Sequence, residues 1–147
     1  MALEKHRLGG VTTVASTVLN SLANTSLAAG TVFDNTQGAA GDGYTLMDVE
    51  LVVAFATAPT IPSAITLWVL AAPDGTNYED GDATTTPARQ PDLVFPMRAV
   101  TTAQRISIRA ALPWGLIKPL LKNDATGQAL AASGNTLKFR LATREAV

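Results

Sequence analysis

Residues 43–57, GYTLMDVELVVAFAT, constrain this chain more than any other stretch. Met47, Val49, Leu51, Val53 and Phe55 fall on one side of an extended backbone, Asp48 and Glu50 on the other. A period of two is the pattern of a β-strand buried on one face. A helix does not fit, because the two acids lie two apart inside a run that is otherwise apolar. Burying the five large side chains contributes about 7–15 kcal/mol before chain entropy is set against it. The stretch is also longer than the common strand of about 5–6 residues. It is expected in the middle of a sheet.

The rest of the composition agrees with an all-β chain. At 147 residues it supports one domain with a proper core. Only 16% of residues are charged and 47% are apolar, with 11 Gly and 8 Pro to make turns. The low charge points to surface that a partner covers. A net charge of −1 gives no general attraction to nucleic acid or to an anionic membrane. With no cysteine, disulfides, thiolate chemistry and Cys-ligated zinc are excluded. The N-terminus, MALEKHRLGGV, has charges with no apolar run behind them, so it does not read as a signal peptide. No stretch approaches the roughly 20 apolar residues of a membrane span. The expectation is a protein made and assembled in the cytosol.

Two parts are expected along the chain. Residues 1–10 read as an N-terminal arm ending in the Gly9–Gly10 joint, and residues 11–147 as a β-sandwich domain. Eight strands are predicted in the domain. The first is Val11–Leu19, and the second is Ser26–Phe33, with Gly30 marking a bulge. The third is the long strand, and the fourth is Ile65–Ala71. The fifth, Leu93–Ala99, carries Pro96 and so belongs at an edge. Gln104–Ala110, Leu116–Lys122 and Thr136–Ala142 are the sixth to eighth. No repeat and no convincing helix is evident.

Eight strands with long loops predict a two-sheet antiparallel sandwich of jelly-roll type, its sheets ordered 1-8-3-6 and 2-7-4-5. Charge provides a check. In this order the outward Asp48 and Glu50 face Lys138 and Arg140 on one side, Arg105 and Arg109 on the other. Opposite charges across strands are worth roughly 0.2–1 kcal/mol a pair. Pro119 fits less well, because an internal seventh strand then needs a bulge.

Chemistry-bearing groups are few. His6 is the only histidine and sits in the arm, so a Ser/His/Asp arrangement has no fixed base. Kinase, P-loop and dinucleotide signatures are absent. The acidic loop Asp74–Asp82 (DGTNYEDGD) offers oxygens for calcium, but Thr76 and Tyr78 occupy positions where an EF-hand has Asp or Asn. An Asp-Gly turn with solvated acids is the plainer reading. Asp48 and Glu50 share a face, as a glycoside-cleaving pair would, but arginines on adjacent strands keep both ionised. Trp68, Trp114, Tyr44 and Tyr78 are a sugar-stacking platform only if they converge; core or interface packing is commoner. No enzyme, no cofactor and no metal is expected.

Three segments, WVLAAPDGTNYEDGD (Trp68–Asp82), FPMRAVTTAQRISI (Phe95–Ile108) and KPLLKNDATGQALAASGNTLKFR (Lys118–Arg140), resemble small structural proteins of tailed phages and prophages. The resemblance runs from about Leu67 to Arg140. Its best-described type is the cement, or decoration, protein of short-tailed phage heads. It implies a jelly roll without catalytic residues, bound outside a shell of HK97-fold major capsid protein. It further implies binding across capsomer junctions, often as a homodimer, and a virion location. A carbohydrate-binding sandwich and a phage tail or neck component are the alternatives. Loops and termini of sandwiches usually carry the contacts. The expected contact residues are accordingly Leu3, Lys5, Arg7 and Leu8 in the arm, Tyr78 and Arg89 in the long connection, Trp114, and Gln128 and Leu130 in the small-residue loop.

Overall fold

A computed structural model describes residues 4–36 and 43–146, without the side chain of Ala146. Nine strands run through the described residues: β1 (Glu4–Ala15), β2 (Leu27–Ala29), β3 (Phe33–Asn35), β4 (Leu46–Val53), β5 (Ala64–Ala72), β6 (Leu93–Pro96), β7 (Gln104–Ala111), β8 (Gly115–Asp124) and β9 (Thr136–Ala146). One antiparallel sheet has the order β1-β9-β4-β7 and the other β2-β8-β5-β6, with β3 also on β8. This is the jelly-roll sandwich read from the sequence. The extra strand arises because the second predicted strand is split in two.

The long central strand behaves as its alternation dictates. Met47, Val49, Leu51 and Val53 are fully buried, and Phe55, just past the end of β4, bridges to Leu130. The opposite sheet supplies Ile65, Leu67, Val69, Ile117 and Leu121 to the same core. Phe139 of β9 meets Phe33 of β3 edge-to-face, ring centres 6.0 Å apart, and so ties the two layers together.

The split strand explains Pro119. β2 pairs Ala29 with Leu120, and β3 pairs Phe33 with Ile117, so residues 30–32 face only 118 and 119. That is the bulge the topology requires. Across the other side of β8, Pro119 stands opposite Val69. Val69 turns its N–H to the Asp92 carboxylate and its carbonyl to Arg89, away from β8. No ladder bond is therefore asked of the proline nitrogen. The Pro119 carbonyl accepts from the Gly30 N–H at 2.8 Å. A Cβ on Gly30 would lie 2.4 Å from the Val14 carbonyl oxygen and 2.7 Å from the Pro119 ring, so only glycine fits.

Three expectations need correction. The first strand starts at Glu4 rather than Val11. Residues expected as an arm pair with β9, from Glu4↔Ala146 to Leu8↔Ala142. Gly9 is no loose joint, for its Cα sits so close to the Tyr44 ring that a Cβ would approach to 2.8 Å. The far end of that strand, expected to run to Leu19, turns instead into a 3-10 helix at Thr17–Leu19 that buries Leu19. The fifth predicted strand stops at Pro96 instead of Ala99. Beyond it the Gln104 side chain bonds both the N–H and the carbonyl of Arg98 and holds the turn.

Candidate functional site

The charge ladder forms on the outer face of the four-stranded sheet. Asp48 stands opposite Arg109 on β7 and Arg140 on β9; Glu50 stands opposite Ser107 and Lys138. Arg109 grips Asp48 through two bonds of 2.7 and 3.0 Å. Arg105, one step along β7, reaches Glu50 diagonally at 2.7 Å. The hydrogen bond from Arg109 holds the Asp48 carboxyl below its ordinary range, and the Arg109 and Arg140 charges add to this against a desolvation cost. A carboxylate held ionised in this way fixes register; it does not act as a general acid.

A second polar network closes the edge of β5 beyond the end of β6. Arg89 bridges Glu79 at 2.6 Å and Asp92 at 2.8 Å, and also donates to the Val69 carbonyl at 3.1 Å. Asp92 and Glu79 accept from the N–H groups of Val69 and Ala71. The Trp68 indole N–H donates to the Arg89 carbonyl. Three side chains thus satisfy an edge that no strand covers. Arg89, expected as a partner contact, is half-buried and serves this clasp.

The loop acids turn inward on their own backbone. Asp74 accepts from the N–H groups of Thr76 and Asn77, and Asp82 from Thr84 and Thr85. The Thr84 hydroxyl and these amides bring the Asp82 carboxyl down to about 2. Among the described residues no three acids or histidines gather in a way that would hold a metal ion. Asp34, Asp48 and Asp74 are lowered as well, the first by Thr36 and the last by Asn77 and Thr76. The unfolded chain protonates these groups near 3.8, so between that value and the folded values it holds more protons than the native state. The carboxylates' contribution is present above about pH 4 and is lost as pH falls toward 2. Urea titrations at pH 6, 4 and 2.5 are expected to show stability falling between the last two, and Asp82→Asn to flatten that fall.

The other expected contact residues are placed as follows. Leu3 lies outside the described residues. Lys5 pairs with Glu145 at 3.7 Å and Arg7 with the same carboxylate at 2.6 Å, while the Arg7 guanidinium stacks 4.7 Å over Tyr44. His6 is exposed opposite Arg144. Tyr78 lies beneath Lys118, 4.9 Å from ammonium to ring centre. The Gln128 carbonyl accepts from Asn123 and Thr126 inside its loop. Leu130 is 3% exposed and belongs to the core, drawn in by Phe55. Trp68 is buried, so the four aromatics do not converge on one platform. Leu8 and Trp114 are open to solvent, each about half exposed.

Sequence reasoning missed three other exposed apolar residues. Val11 on β1, Val18 in the following turn and Val32 between β2 and β3 are also exposed. The Thr31 N–H bonds to the Val14 carbonyl, which brings the chain between β2 and β3 against β1. A signal existed in the odd spacing of Val11 and Val14, which in a strand sends one out when the other goes in.

No family model matches this chain. No curated protein matches it either. Among solved structures, dimeric latent PorU from Porphyromonas gingivalis aligns with 99% of this chain at 10% identity and a TM-score of 0.48, the match spanning 13% of PorU. The family 35 carbohydrate-binding module of Paenibacillus barcinonensis aligns over 97% of this chain and 98% of its own, at 11% identity and a TM-score of 0.42. That of Clostridium thermocellum aligns over 96% and 90%, at 15% identity and a TM-score of 0.35. Likeness at this level carries no statement about ligand or partner.

Proposed function

We propose that this chain is a non-catalytic structural protein of a phage head. It binds the outside of an HK97-fold major capsid shell across capsomer junctions, as a homodimer, and stabilises the shell. The observation that carries the reading is that large apolar side chains, Leu8 and Val11 on β1 and Val18 just after it, stand exposed. Large apolar side chains left exposed along one strand suit a surface that another protein covers. Arg89, Arg105, Arg109 and their acid partners, with Asp82, are meanwhile committed within the chain, in the edge clasp, the ladder and a loop turn. The three segments resembling phage structural proteins supply the kind of partner. Many modest contacts repeated over a shell hold it firmly.

A second reading, a carbohydrate-binding module, is favoured by one feature. Trp114, on the β7–β8 turn, is 54% exposed. One experiment separates the two. Heads assembled without this protein are supplied with the wild-type chain or with Leu8→Arg/Val11→Lys. Both sites are exposed, so the double variant is expected to keep its stability within about 0.5 kcal/mol per site. It is expected to lose shell occupancy about tenfold or more, each forfeited apolar contact being worth roughly 1.5–3 kcal/mol when buried. Heads that withstand heating equally well without the protein would refute the shell reading. Glycan binding that disappears in Trp114→Ala would establish the other.

A further inference from the structure

The two outer faces of the sandwich carry surplus charge of opposite sign. Outside the four-stranded sheet, Arg105, Arg109, Lys138 and Arg140 stand around Asp48 and Glu50, four cations to two acids. Outside the five-stranded sheet lies the 73–91 connection, seated through Tyr78 on Trp68, Leu70 and Leu120. Its surplus is acidic. Arg89 is shared by Glu79 and Asp92, while Asp74, Asp80 and Asp82 stand exposed with no ion pair among the described residues. The turns that hold Asp74 and Asp82 keep both ionised. A net charge of −1 conceals this division.

On the cationic side, two groups have no use inside the chain. Arg109 holds Asp48 and Arg105 holds Glu50. Lys138 and Arg140 make no ion pair or hydrogen bond among the described residues. They alternate on β9, so both project from the outer face, their Cα atoms roughly 7 Å apart. With Val11, Ser107 and the two acids they line a hollow of about 480 Å³.

We infer that this hollow receives the acidic connection of a second copy, so that copies associate head to tail. Charge complementarity between the two faces is the ground for that occupant. The sandwich itself stands between the faces, so no copy satisfies its own cations. A copy whose ladder face is filled still presents its acidic connection on the far side. The contact is therefore heterologous, and it joins copies into rows or rings instead of closing on a two-fold axis. It is additional to the dimer proposed above and needs no shell to form. Asp48 and Glu50 in the floor oppose a densely charged chain such as nucleic acid. A loop with a few separate acids sets each one beside a cation.

Sedimentation equilibrium of the full chain tests the contact. In low salt the mean mass is expected to climb past that of a dimer as concentration rises, and to fall back in ~0.5 M salt. Lys138→Gln/Arg140→Gln on the face and Thr76→Lys/Asp80→Lys on the connection are each expected to weaken the association about tenfold or more, with melting temperature unchanged. Both pairs leave the turn acceptors Asp74 and Asp82 in place. Lys138→Glu/Arg140→Glu mixed with Thr76→Lys/Asp80→Lys is expected to associate again, because each reversed surface then meets its opposite. A wild-type chain that never exceeds a dimer in low salt overturns the inference. So does association that survives either the Gln pair or the Lys pair. Retention on an oligonucleotide that the Gln pair abolishes, without self-association, overturns it too and assigns the face to nucleic acid.

Discussion

Phe139→Ala is expected to destabilise the protein by about 3–5 kcal/mol. Phe139 is fully buried on β9, opposite Val49 on β4 and Thr12 on β1, and its ring meets Phe33 from the other layer. Truncation removes the apolar area, leaves a cavity between the sheets and deletes an edge-to-face aromatic contact. For a chain of this size a loss of 3–5 kcal/mol corresponds to a fall in melting temperature of roughly 10 °C or more. Calorimetry measures it directly. A fall of only a degree or two would mean that the two layers are not packed through this ring.

Asn123→Leu is expected to cost about 2–4 kcal/mol, although the side chains are close in volume and the site is fully buried. The Asn123 amide donates to the carbonyls of Leu22 and Gln128, and its oxygen accepts from the Thr126 hydroxyl. Its backbone pairs with Thr25 and Ser26. One side chain at the end of β8 therefore holds two loops that lie far apart in sequence. An apolar replacement fills the space but removes three buried hydrogen bonds at once, leaving the Leu22 carbonyl only the Leu130 N–H, and the Gln128 carbonyl only the Thr126 hydroxyl. Urea denaturation should show a lower midpoint with an unchanged slope. Faster amide exchange in residues 20–26 and 125–131 than in β4 would locate the loss at those loops.

The two sites illustrate different degrees of legibility. Phe139 sits in the alternation Leu137, Phe139, Leu141, and its inward position follows from strand period alone. The order of the strands was legible too, because Asp48 and Glu50 on one strand and basic residues on two others leave few neutral pairings. Asn123 carries no such mark. Its partners Leu22 and Thr126 share no periodicity with it, and the first is 101 residues away.

The same reasoning separates the contact residues. Arg89 and Leu130 lie in polar or small-residue loops, where local sequence predicts exposure. The structure draws Arg89 to the bare edge of β5 and Leu130 to Phe55 at the end of β4. Residues 4–10 look like an arm because they end in two glycines. Yet β9 extends to Ala146 and offers an unpaired edge, and pairing with it outweighs the freedom of Gly9–Gly10.

By itself the sequence determined the fold class, the buried face of each long strand and the order of strands in both sheets, because strand period and cross-strand charge are written locally. Tertiary structure alone decided where β1 begins and which loop side chains become struts. Those outcomes depend on contacts between residues brought together only when the two layers close, and no local pattern encodes them.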